Sequence, residues 1–468
     1  LRCSLGLSAW KSFGEQRWAL RVNPSSGNLH PTEGYLVWNR RVLHYAPDLH
    51  AAEERATLPI DLDSCLTYEG GDRSDAFLVA LTSIHWREAW KYGERAFRYC
   101  QHDVGHALAA LRLAAALLGW GLSVLPEWSD SDLAALLGLD RDQDFLDAER
   151  ESPALVACVT ASPRPVATRC DTARLVAAAR QASWAGRASR LSPSHVDWPV
   201  IDAASAGTVY PGLRAVPRTV QTATRAEPEP GPPARHVLLT RRSATAFDGA
   251  SVLPRARFLQ LLARLRPRGV PWDALWWTPQ VHLILFVHRV EGVVPGLYAF
   301  IRCPDGTRRE WQSMMRDIFL WDPVEGTGLT DEDGLFLLAP FDLRPQARQL
   351  SCEQDIAADG YLSLAMVGRL AAVAEQGPWV YRHLFWECGL IGQMLYLEAE
   401  VSGGRGTGIG CFFDDPVHEA LGLRDDAWQS LYHFAMGKAL DDRRLTTEPG
   451  YPWEVTASAS GADPSQNR

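Results

Sequence analysis

A chain of 468 residues with 46% hydrophobic and 22% charged residues is long enough for two or three domains and has the balance of a soluble globular protein. A formal net charge of −9 argues against nucleic acid or an anionic membrane surface as partner. No apolar run reaches the roughly 20 residues of a membrane span, so no membrane partner is expected.

Nine scattered cysteines, an odd count with no Cys-x-x-Cys pair, argue against a disulfide framework and a thiolate metal site, and point to a reducing cytoplasm. The pattern predicts a short helix at the start. The stretch Arg21-Val22-Asn23-Pro24-Ser25-Ser26-Gly27-Asn28-Leu29-His30-Pro31-Thr32-Glu33 follows. Its two prolines stiffen the backbone, while Ser, Gly and Asn give small polar side chains on a permissive chain. Such a loop can gather hydroxyls, an amide and backbone groups around a flat polar ligand. It leads into Gly34-Tyr35-Leu36-Val37-Trp38, a buried strand paired with Val42-Leu43-His44-Tyr45 across a turn at Asn39-Arg40. Phe77 to His85 reads as a further strand. A long helix is expected from about Arg95 to Leu118, ended by Gly119 and Gly121. His102 and His106 stand four apart on it, the spacing of a metal pair. No third ligand is evident, so no metal site is predicted. Leu155 to Val159 closes this half as a strand.

Residues 160–235 change character, from an Ala/Arg-rich segment to Pro211 through Pro233, dense in Pro, Thr, Arg and Glu. The expected boundaries are a first domain at 1–165, an arm at 166–235, a second domain at 236–455 and a disordered Ser/Ala/Gly-rich tail at 456–468. The two domains repeat each other: Gly105 and Gly389, Leu113 and Leu397, Leu137 and Leu421 all stand 284 positions apart. The fold class is therefore α+β, two tandem copies of one unit. The second copy opens with Thr240-Arg241-Arg242-Ser243-Ala244-Thr245-Ala246-Phe247. An Arg pair beside hydroxyls suits a phosphate, although the same pattern is also ordinary solvated surface. Gly403 to Gly410 leaves the second long helix rather than entering one, which argues against a dinucleotide fingerprint.

These motifs resemble the FMN-dependent nitroreductase family. Pro24-Ser25-Ser26-Gly27-Asn28 is similar to its flavin-contacting loop, and the continuation His30-Pro31-Thr32-Glu33 is similar to the SagB-type (thiazole/oxazole-forming) dehydrogenase branch. The resemblance implies FMN as cofactor. It places Arg21, Pro24, Ser25, Ser26 and Asn28 at the flavin, and Arg241, Arg242, Ser243 and Thr245 at its phosphate and ribityl chain. Thr245 stands where the family is basic. Thr407, Gly408, Ile409 and Gly410 match the segment that faces the ring, and Lys438 matches a closing cation near the phosphate. Trp90 to Tyr99 is similar to a Lys-Tyr-Gly-x-Arg-x-(Tyr/Phe)-Arg motif, which makes Lys91 and Tyr92 candidate catalytic residues. Its charges could equally form a helix-start salt network.

Family members are homodimers with flavins at the interface, so the tandem copies are expected to form an intramolecular pseudo-dimer, open to further self-association. The copies have diverged in a complementary way. The first shows no Arg-x-Ser-x-x-x-Phe opening from Leu1 on, and the second has Trp276-Trp277-Thr278-Pro279 at the Pro-Ser-Ser position. One complete site, split between halves, is implied. The implied activity is hydride transfer between flavin N5 and a small-molecule or peptide substrate, with NAD(P)H a candidate reductant. Azoline-to-azole peptide dehydrogenation in a maturation complex and a flavin-binding scaffold without turnover are the alternatives.

Overall fold

The computed structural model describes residues 1–468 except 69–74, 163–167, 214–230, 304–305, 326–332, 424 and 455–468. The expected disordered tail, and most of the Pro-rich part of the arm, lie outside the described residues.

Gly105 and Gly389 fall at equivalent points of two 22-residue helices, Ala96–Leu117 and Val380–Val401. The helices cross there, backbone against backbone. A Cβ on Gly105 would strike the carbonyl oxygen of Trp386, and one on Gly389 would strike that of His102. His102 and Trp386 are themselves 284 positions apart, so the contact obeys a pseudo-two-fold axis. A helical glycine costs about 1 kcal/mol against alanine, and the close approach is what requires it here.

Each long helix covers one seven-stranded antiparallel sheet. The first sheet uses β3 (Thr32–Trp38), β4 (Arg41–Ala46), β5 (Ala51–Thr57), β7 (Ala76–Ser83), β8 (Gly121–Val124), β9 (Ser152–Thr160) and β11 (Ser183–Trp184) in the order β11-β5-β4-β3-β7-β9-β8. The second uses β12 (Val281–Val287), β13 (Gly296–Ile301), β14 (Asp322–Pro323), β15 (Gly334–Ala339), β16 (Leu362–Arg369), β17 (Arg405–Ile409) and β18 (Trp428–Gly437) in the order β14-β15-β13-β12-β16-β18-β17. Six strands stand in the same order when read copy against copy, β5-β4-β3-β7-β9-β8 against β15-β13-β12-β16-β18-β17, and only the short edge strands β11 and β14 come from different points of the copy. The tandem α+β units are thus present, and their helices meet at the centre of one shared core.

Three expectations need correction. The predicted N-terminal helix is a hairpin, β1 (Leu7–Phe13) with β2 (Gln16–Arg21). Phe13 pairs with Gln16, and Gly14 takes φ +58° in the two-residue turn. Strand β19 (Thr446–Pro449), far along the chain, completes this small sheet in the order β19-β1-β2. Second, residues 168–213 are folded rather than an arm. β10 (Thr168–Cys170) pairs with β6 (Leu66–Tyr68), β11 extends the first sheet, and helix Thr172–Arg180 buries Leu175 and Val176 in the outer core. Third, Cys352 and Cys411 are disulfide-bonded, with Cα atoms 6.0 Å apart. They stand on loops of one half, 59 residues apart, where no short spacing announces the pair. Among the described residues no helix is long and apolar enough to cross a membrane.

Candidate functional site

The polar loop ends in a short turn at Ser26–Asn28. Gly27, Asn28 and His30 all have φ between +52° and +62°, a region that Gly and Asn tolerate best. Side chains lock this shape. Asn28 donates from Nδ2 to the Ala19 carbonyl at 2.8 Å and places Oδ1 2.9 Å from His30 Nε2. Ser25 Oγ accepts the His30 amide at 2.8 Å. Burial, aided by the charges of Arg21, Arg87 and Arg241, pushes His30 well below its ordinary range, so its ring is neutral.

The opening of the second half docks onto this loop. Arg241 is buried, donating from Nε to the Val22 carbonyl at 3.1 Å and from Nη2 to the Arg21 carbonyl at 3.2 Å. Its carbon Cζ lies 4.9 Å from the ring centre of Tyr396, while Nη1 is buried without a protein partner. Arg242 differs: its Nη1 bonds Ser8 Oγ and the carbonyls of Leu239 and Arg241. Ser243 forms a parallel bridge with Gly406. Tyr396 Oη accepts from Ser243 Oγ at 3.2 Å and from the Gly408 amide at 2.9 Å, tying the opening to β17.

A cavity of about 680 Å3 lies between these parts. Arg21, Pro24, Ser25, Ser26 and Asn28 line it from the first half; Arg241, Arg242, Ser243, Thr245, Thr407, Gly408 and Gly410 line it from the second. The remaining expected residues stand elsewhere. Ile409 is buried in a small core with Ala244 and Phe247. Lys438 is off the lining and donates to the Gly403 carbonyl at 3.1 Å. Lys91 and Tyr92 are off the lining but close on the loop: a Cβ on Gly27 would strike Tyr92 Oη and lie 2.9 Å from Lys91 Nζ. Arg95 and Arg98, from the same motif, bridge to Asp414 of the other half at 2.9 and 3.2 Å. Glycine is required in β17 and just after it by aromatic rings packed against the chain, since a Cβ at Gly406 would press on Phe434 and one at Gly410 on Tyr99.

Sequence reasoning missed several lining residues: Lys11 and Trp18 on the unforeseen hairpin, Asn23, Asp103, Tyr396 and Tyr432. The His102–His106 pair, four apart on the first long helix, stands at this same spot. His106 lines the cavity, with Nε2 3.3 Å from Tyr432 Oη, and His102 stacks on the Tyr432 ring at 4.1 Å.

The pseudo-symmetric position is filled with side chains. Trp276 and Trp277 pack on His383, with ring centres 5.5 and 4.4 Å from it. Tyr210 enters from the segment after helix Pro199–Gly207, its Oη donating to the Pro126 carbonyl at 2.7 Å and its amide to Asp130 at 3.0 Å. Pro126 is the counterpart of Gly410, and His383 that of Tyr99, by the same 284-residue offset.

Residues 13–148 match the model described as the nitroreductase family. No curated protein matches the chain. Among solved structures the chain is similar to a protein assigned to the nitroreductases from Anabaena variabilis ATCC 29413, at 19% identity and TM-score 0.65, covering 94% of this chain and 86% of that one. That likeness spans both halves and shows the nitroreductase fold. Partial matches include a protein assigned as a nitroreductase, in complex with FMN, from Exiguobacterium sibiricum 255-15 (15% identity, 48% and 92% covered, TM-score 0.26). Another is the E. coli microcin synthetase McbBCD complex with truncated pro-MccB17 bound (23% identity, 30% and 55% covered, TM-score 0.25).

Proposed function

We propose that the chain is an FMN-dependent oxidoreductase that holds one flavin in the cavity between its halves. The carrying observation is the buried Arg241 Nη1, a charged donor without a protein partner at a cavity built from both halves. A phosphate oxygen is the acceptor that such a guanidinium lacks, and a buried unsatisfied donor costs about 1–3 kcal/mol until it finds one. The cavity volume falls within the roughly 300–1,000 Å3 of cofactor sites.

In this reading Arg241, Ser243 and Thr245 hold the phosphate end. Pro24, Ser25, Ser26 and Asn28 with Thr407, Gly408 and Gly410 flank the ring, and Arg21, Arg242, Ile409 and Lys438 support those segments. Bound FMN supplies hydride transfer, and the chain's own residues orient the reactants and move protons. Lys91 and Tyr92, beside Gly27, are assigned to proton transfer rather than to flavin binding. NAD(P)H is the proposed reductant, with a small-molecule or peptide acceptor.

The test is the visible flavin absorbance of the purified protein, followed by NAD(P)H oxidation with a quinone or nitroaromatic acceptor. A colourless protein that takes up no FMN on titration overturns the reading. Bound FMN without turnover on any acceptor would leave a binding protein instead. The Trp90 to Tyr99 motif favours a second reading, dehydrogenation of peptide azolines, which an azoline-containing peptide as sole substrate would test.

A further inference from the structure

Asp103, on the first long helix, and Glu387, on the second, occupy the same place in the repeat. Glu387 is fully neutralised: Arg302 pairs with it, and the amides of Gln280 and Val281 donate to it at 2.7 and 3.2 Å. This is what a structural carboxylate at that position needs in order to stay buried. Asp103 has no such cation. The Ser26 amide donates to Oδ1 at 3.3 Å, and Oδ2 is buried without a partner. A second carboxyl stands there instead, Glu88 of helix Trp86–Tyr92, fully buried, with Oε2 also unpartnered. Ser25 Oγ lies between them, 3.5 Å from Glu88 Oε1 and within hydrogen-bonding reach of Asp103. Of the two carboxyls only Asp103 lines the cavity.

We propose that Glu88 and Asp103 hold one shared proton beneath the polar loop and deliver it to a cavity-bound acceptor through the Ser25 hydroxyl. The proposal rests on the oxidoreductase reading above. Two adjacent buried carboxyls with no ion-paired cation strongly disfavour a double charge, so one proton stays with the pair. Burial raises both groups above the carboxylate range, and the Asp103 charge raises Glu88 further. The charged and titratable groups around them are Lys91 on the Glu88 helix, Arg21 on β2, Tyr92, and Tyr99 and Cys100 on the Asp103 helix, with Tyr432 on β18.

With reduced flavin as hydride source, a quinone takes one hydride and one proton. The Ser25 O–H bond breaks as the quinone oxygen gains its hydrogen, and the carboxyl O–H of the pair breaks to restore Ser25. As the pair gives up this proton it takes another from solvent by way of Lys91, exposed one turn beyond Glu88, so the two carboxylates are not left charged together.

The experiment uses the full chain in three variants, Asp103→Asn, Glu88→Gln and Ser25→Ala. Infrared spectra without flavin should show a protonated-carboxyl band near neutral pH that both carboxamide variants shift or weaken and Ser25→Ala keeps. With FMN and a quinone, Ser25→Ala should lower turnover by about 100-fold, the scale of a lost proton-transfer group. Asp103→Asn should abolish the alkaline fall of the pH–rate profile. An unchanged band in both carboxamide variants, or a profile that Asp103→Asn does not move, overturns the proposal. Should one carboxamide variant fail to fold, the other carries the infrared test. Failure to bind FMN would overturn the oxidoreductase reading instead, and the infrared result would still decide whether the pair holds a proton.

Discussion

Arg241 and Arg242 are neighbours in sequence with opposite environments. Arg241 keeps one donor unpaired at the cavity, while Arg242 spends its Nη1 on Ser8 and nearby carbonyls. Arg241→Ala should therefore weaken FMN binding by about 10–100-fold, the range of a charge-assisted bond. Arg242→Gln should lower melting temperature more than FMN affinity. Fluorescence titration of both variants checks this, and equal affinities would remove Arg241 from the phosphate. Lys91→Ala should lower turnover while leaving FMN bound, because the side chain lies off the lining; flavin content and steady-state rate measure the two parts. His44 makes a different prediction. Burial pushes its imidazole down, and hydrogen bonds to Glu33 and Glu53 more than offset this, leaving its pKa at about 9. A group raised in the folded state stabilises most below its ordinary value of 6.5, and that stability is lost as pH rises through 9. The loss is a few kcal/mol at most for a partly exposed side chain. Melting temperatures should fall more steeply between pH 6.5 and 9 in the wild type than in His44→Gln.

At the scale of elements, the crossing of the two long helices is the most demanding contact. Gly→Ala in an open helix stabilises by removing chain entropy. At Gly105 a methyl meets the Trp386 carbonyl, a backbone atom with no way to swing aside. Gly105→Ala should thus destabilise by about 1–3 kcal/mol, the scale of overpacking, and Gly389→Ala should do the same. Chemical denaturation checks both, and a stabilised Gly105→Ala would show that the helices can part freely. The N-terminal hairpin is the other decisive element. Its partner strand β19 lies more than 400 residues on, and Lys11, Trp18 and Thr447 from this small sheet line the cavity.

At the scale of the molecule, duplication made two equivalent places and divergence left one open. Trp276, Trp277, His383 and Tyr210 fill the other, and Tyr210 is buried. One FMN per chain is expected, measured as flavin absorbance against protein concentration, and two per chain would contradict the filled position. Tyr210→Ala should lower melting temperature and leave that ratio at one.

The repeat was legible because a 284-residue offset needs no structure to be seen, and the strand and helix periods survive in both copies. Part of the lining was legible too, since Pro24, Ser25, Ser26, Asn28, Arg241, Arg242, Ser243 and Thr245 sit in short motifs whose chemistry is local. What the sequence could not show depends on contacts between distant residues. The start of the chain became a strand because β19 covers it, and residues 168–213 folded because they close the first sheet and its outer core. Cys352 met Cys411 through the packing of two loops. Asp103 and Glu387 are interchangeable in the repeat, and only the tertiary structure places Arg302 beside one acid and Glu88 beside the other. Charge in a buried site is set by whichever groups the fold brings near, and a linear pattern holds no record of them.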